Sequence, residues 1–121
     1  YGTPLAPVLE AQRAGRDILF DIDVQGAAQL HLSLPSAHFV FILPPSMEEL
    51  ERRLRGRGTD TDEVIRVRLA DARQEIREAR WFDSLILNDD LDRAYQDLRA
   101  AYLQATLAPK LHTALLDHLL F

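Results

Sequence analysis

A chain of 121 residues and 13.8 kDa, 47% hydrophobic and 27% charged, has the size and composition of one globular domain. Its lack of cysteine excludes a disulfide scaffold, a zinc–thiolate site and a thiol nucleophile. A net charge of −5 argues against a nucleic-acid partner, and no apolar run approaches the ~18 residues of a membrane span.

In chain order, residues 5–14 place apolar side chains at helical spacing and end at Gly15, a residue suited to a helix C-terminus. Asp17 to Asp23 (DILFDID) is a short apolar run with little alternation, which predicts a strand buried on both faces. A short helix follows over 24–32. Ala37–Leu43 is a second strand candidate, stopped by Pro44-Pro45. Ser46 and Glu49 make a capping box for a helix through Arg55, which breaks at Gly56 and Gly58. Thr59, Asp60 and Thr61 are alternative caps for a long charged helix, Glu63–Arg80. Ser84–Leu87 reads as a third strand, Asp89 and Asp90 open a helix to about Leu107, and Leu111–Leu120 is a last amphipathic segment. Strands alternating with helices imply an α/β fold with a parallel sheet, although three strands make a thin one.

Two groups of residues could carry chemistry. Asp21 and Asp23 end the first apolar run, where parallel α/β proteins place ligand groups. If that run stays extended, both carboxylates share a face, and their repulsion calls for a cation or a donor-rich ligand. The alternative is that one pairs with a local arginine while the other caps a helix. The second group is drawn from thirteen arginines set against a single lysine, Lys110. Arg52, Arg53, Arg55 and Arg57 lie on one helix and its exit, and Arg66 and Arg68 near the start of the next. Such a pair of helices could close over a polyphosphate, arginine being suited to forked contacts with phosphate oxygens. Read alone, the commoner arrangement is a solvated face balanced by Glu48, Glu49, Glu51, Asp60, Asp62 and Glu63. His31, His38, His112 and His118 lack metal-ligand spacing, and no serine sits in a nucleophile elbow. The phosphate-cradling pattern G-x-x-x-x-G-K-[ST] does not occur in these residues.

Five segments then fall in one order. They are Tyr1-Gly2-Thr3-Pro4, Phe20-Asp21-Ile22-Asp23-Val24-Gln25-Gly26-Ala27, Pro44-Pro45-Ser46, Leu54-Arg55-Gly56-Arg57-Gly58-Thr59 and Asn88-Asp89-Asp90-Leu91-Asp92. Their sequence and spacing resemble guanylate kinase over residues 1 to about 105. The resemblance implies transfer of a phosphoryl group from ATP to GMP with Mg²⁺, on a P-loop kinase-like parallel sheet with flanking helices. It implies that Tyr1 touches the GMP phosphate and Thr3 the guanine. Asp23 would lie beside GMP and the metal, reaching the ion through water, with Asp21 supporting it. Arg53, Arg57 and Arg68 would meet ATP or the transferring group, and Asn88 the adenine region. Arg57, Arg68 and Asp23 are thereby the expected catalytic residues.

By the same resemblance the fold is incomplete in this chain, the family's first strand, P-loop and most of its GMP-binding lobe preceding Tyr1. The expected organisation is a kinase-like portion over 1–108 and a helical tail over 109–121. Within the first part, 1–4 end the GMP lobe, 5–52 and 81–108 form the core, and 53–80 form a lid. A family member of this kind is cytoplasmic, with ATP and GMP as partners. An exposed strand edge offers a route to self-association. The competing reading is a guanylate-kinase-like binding module that grips phosphopeptides without turnover.

Overall fold

The computed structural model describes residues 5–121 and divides into two compact units, one ending at Pro35 and the other running Ser36–Phe121. The first unit carries two helices, α1 (Leu5–Arg13) and α2 (Val24–Ser33). Helix α1 closes as its glycine predicts. Gly15 takes φ +73°, its N–H reaches the Gln12 carbonyl at 3.0 Å, and the Arg16 N–H reaches that of Ala11 at 2.9 Å. This pairing satisfies carbonyls that a helix end otherwise leaves open, and a positive φ suits glycine, which has no Cβ to clash. Helix α2 starts where Asp23 caps it: the Gly26 N–H donates to Asp23 Oδ1 at 2.7 Å. Val8, Ala11, Ala27 and Leu34 are the buried apolar residues described in this unit.

The expected strand over Asp17–Asp23 is not formed. These residues belong to no ladder among the described residues, and Ile18, Leu19 and Ile22 are 40%, 86% and 39% exposed. An apolar run specifies burial, but a strand also needs a neighbour to pair its backbone N–H and C=O groups, and the described residues put none beside it.

The second unit is α/β. Strands β1 (Val40–Leu43) and β2 (Ser84–Leu87) pair in parallel, Val40 opposite Ser84 and Leu43 opposite Leu87. The ladder extends past both ends. Phe39 O accepts from the Asp83 and Ser84 N–H groups at 2.8 and 3.1 Å, and Leu43 O accepts from Asn88 N–H at 2.7 Å. At the entry, Asp83 Oδ2 accepts from Phe39 N–H at 2.8 Å, and His38 Nε2 lies 2.8 Å from Ser84 Oγ. This side-chain pairing fixes the register next to an aromatic cluster of Phe39, Phe41, Trp81 and Phe82, whose contacts are edge-to-face except for the tilted Trp81–Phe82 pair.

Between the strands run α3 (Met47–Gly56) and α4 (Asp62–Glu78), followed by a turn of 3₁₀ helix at Ala79–Trp81. Ser46 Oγ accepts from Glu49 N–H at 3.0 Å and Thr61 Oγ1 from Val64 N–H at 3.3 Å, so both helices begin at hydroxyl caps. Leu54, Ile65 and Leu69 form the buried seam between α3 and α4, with Met47 and Leu50 packed against it. Gly58, at φ +67°, turns the chain from one helix to the other. Helix α5 (Leu91–Thr106) packs on β2. In the tail, α6 (Thr113–Leu120) leaves Leu115, Leu116, Leu119 and Leu120 exposed. Among the described residues, no helix is long and apolar enough to cross a membrane.

Candidate functional site

Parallel α/β sheets present ligand groups beyond the carboxyl ends of their strands. In the second unit that end is marked by Asn88, held one step past β2 by its bond to Leu43. Arg53, on α3, reaches it: Arg53 Nη1 donates to the main-chain oxygen of Asn88 at 3.0 Å. Two residues expected on the ATP side, 35 positions apart, are thus directly joined.

Four arginines here hold acidic partners. Glu49 takes the Nε and Nη2 of Arg52 and, at 3.0 Å, the Nε of Arg53. Arg55 bonds Asp62 across the α3–α4 turn and Glu51 along its own helix at 3.4 Å. Arg68 Nε lies 3.4 Å from Asp60 Oδ2. Arg57 differs. It caps the C-terminus of α3 in helical geometry, is exposed, and has no ion-pair partner among the described residues. A groove of about 710 Å³ lies along the same helix pair, lined by Leu50, Leu54, Val64, Val67 and Arg68 among others.

The acidic balance expected of a solvated face therefore exists, and it is selective. Glu49 is the residue sequence reasoning counted only as a cap and a balancing charge. Its backbone makes the cap, but its carboxylate turns to the arginines rather than back to Ser46. The available signal was the i, i+4 spacing of Glu49 and Arg53, which puts both on one helix face.

The hydrogen bond from Arg52 pulls the Glu49 carboxyl down to about 2, Arg53 adding to the effect against some loss of hydration. Arg55 holds the Asp62 carboxyl below its usual range, chiefly by its hydrogen bond. Because the folded pKa of Glu49 lies below the ordinary 4.5, its ion pairs contribute fully above that value and are lost as pH falls toward about 2. A carboxyl-carbon NMR titration is expected to find Glu49 ionised throughout neutral and mildly acidic pH. A midpoint near the ordinary value would contradict the pairing.

Asp21 and Asp23 lie in the first unit, both exposed. The cap on Gly26 supplies the helix-capping half of the second alternative for this pair. Tyr1 and Thr3, expected at GMP, fall outside the described residues. His38 and His112 have partners of their own, Ser84 Oγ and the Thr106 carbonyl. Among the described residues, no group of three or more His, Asp or Glu could hold a metal.

A two-stranded parallel sheet with an arginine-bearing helix pair reaching its carboxyl end defines an α/β unit. Comparison with known proteins makes this specific: residues 1–105 match the guanylate kinase family. Over 120 residues, 99% of the chain, it is 58% identical to guanylate kinase of Lawsonia intracellularis and 60% identical to that of Nitratidesulfovibrio vulgaris. It is 59% identical to that of Oleidesulfovibrio alaskensis over the same length. The chain belongs to the guanylate kinase family, whose fold is that of the P-loop kinases. It spans 57% to 58% of the length of these three relatives, and the match to them continues through the tail beyond residue 105.

Proposed function

We propose that the protein to which this chain belongs is a cytoplasmic kinase that transfers the γ-phosphoryl group of ATP to GMP, giving ADP and GDP. The observation that carries this reading is the family match over residues 1–105, which takes in Asp23, Arg53, Arg57, Arg68 and Asn88 together. Phosphoryl transfer asks a protein chiefly to position the reactants and to offset charge spread over the phosphate oxygens. Arg57 and Arg68 supply that charge, Arg57 from the α3–α4 turn with its guanidinium uncommitted. Residues 53–80 act as the lid that brings them in, on the core of 5–52 and 81–108.

Guanine presents a ring N–H and an amino group, so hydroxyl and carboxylate acceptors select it over adenine. Thr3 and Asp21 serve on that side, with Tyr1 at the GMP phosphate. Mg²⁺ binds through one or two carboxylates, several waters and substrate phosphates. Asp23 fits that donor set: Gly26 N–H holds one carboxylate oxygen at 2.7 Å, and the other would be the acceptor for a water of the ion. When bound, the ion would partly neutralise the charge on the phosphates.

The test is an ADP-release assay of the complete protein, with GMP, AMP and no acceptor compared. Turnover confined to GMP supports the reading. A protein that leaves GMP untouched but binds phosphoserine peptides would instead be the non-catalytic module. The 121-residue chain by itself, without a G-x-x-x-x-G-K-[ST] segment, is expected to bind ATP weakly or undetectably in calorimetric titration. Sub-micromolar affinity would contradict the need for that phosphate cradle.

A further inference from the structure

An arginine on a helix surface is a long, rotamer-rich chain, and ordering it on ligand binding lowers affinity. Arg53 is already ordered. Its Nε is fixed by Glu49 and its Nη1 by the Asn88 carbonyl, each at 3.0 Å, in two directions of one rigid plane. The anchor is itself well held. Ser46 fixes the first turn of α3, Glu49 lies in that turn, and its side chain is 25% exposed against 36% for Arg53. Arg52, 74% exposed, bonds both oxygens of the same carboxylate, and its Nη2 shares Oε1 with the Nε of Arg53.

We propose that Glu49 is a positioning residue for the ATP side of the site: it presets the guanidinium of Arg53 against the end of β2. The inference rests on the ATP-side reading of Arg53 given above. Glu49 touches no substrate in this scheme. It neutralises part of the arginine's charge, so its contribution is direction and prior ordering, and the step that gains is ATP binding rather than chemistry.

The experiment compares Glu49→Ala, Glu49→Gln, Arg53→Ala and the Glu49→Ala/Arg53→Ala double variant in the complete enzyme. Glu51→Ala serves as control, since Glu51 lies on the same helix but pairs with Arg55. Arg53→Ala and Glu49→Ala are each expected to raise KM for ATP, the latter by about tenfold, while kcat and KM for GMP change less than about twofold. Glu49→Gln keeps the shape and one carbonyl acceptor and is expected to fall between. It also carries the test if the alanine variant folds poorly. The double variant should match Arg53→Ala alone, and Glu51→Ala should match the parent. Multiplying effects in the double variant would overturn the proposal. So would a normal KM for ATP in Glu49→Ala beside a raised one in Arg53→Ala. An unchanged KM for ATP in Arg53→Ala would instead reject the ATP-side reading of Arg53, and this inference with it.

Discussion

Arg57→Ala in the complete enzyme is expected to lower kcat by on the order of 10² or more, with the melting temperature little changed. Both halves follow from where the residue sits. Arg57 is exposed, takes helical backbone angles that alanine accepts, and has no ion-pair partner among the described residues. Its removal therefore exposes no buried charge and breaks no pair. What is lost is a cation at the turn beside Gly58. A cation brought in only on closure stabilises the transition state more than bound substrate, so kcat falls and not merely affinity. Arg57→Lys keeps the charge without the planar fork and should recover only part of the rate. An unaltered kcat in the alanine variant would reject the catalytic role.

The second large effect concerns Asp23, whose observed helix cap and proposed metal-side role substitution can separate. As the cap of α2 it accepts the Gly26 N–H at 2.7 Å. Alanine there removes the acceptor and is expected to cost about 1 kcal/mol of stability. Asparagine caps nearly as well and loses only the favourable charge at a helix N-terminus, about 0.3–1 kcal/mol. If Asp23 also orients a metal-bound water, both variants should lose activity by roughly 10–100-fold, because both lack the carboxylate. Thermal melts beside initial rates decide the matter. A stable and fully active Asp23→Asn enzyme would reduce the residue to a helix cap.

The local elements were legible wherever short-range chemistry decides them. Ser46 and Thr61 cap as their side chains predict, Gly15 closes α1, and β2 occupies the four residues expected, Ser84–Leu87. The strand expected over Ala37–Leu43 begins later, at Val40, because the ladder partner β2 begins at Ser84, opposite it. The Asp17–Asp23 run was misread because hydrophobicity reports the wish to be buried and says nothing of a pairing partner. Among the candidate residues, the arginine-rich turn and, in the other unit, the closely spaced aspartates stood out from the sequence. Three contacts did not: Glu49 with Arg53, Arg53 with Asn88, and Arg68 with Asp60. Each depends on which way a long side chain turns. For Arg53 it depends also on a strand register set by residues far away in sequence.

The bond from Arg53 to position 88 ends on a peptide oxygen, and every amino acid supplies one. Evolution can therefore exchange the side chain at 88 without unfastening the arginine. Lysine at 53 has no such freedom, since a single ammonium lacks the flat, branched shape that spans both anchors.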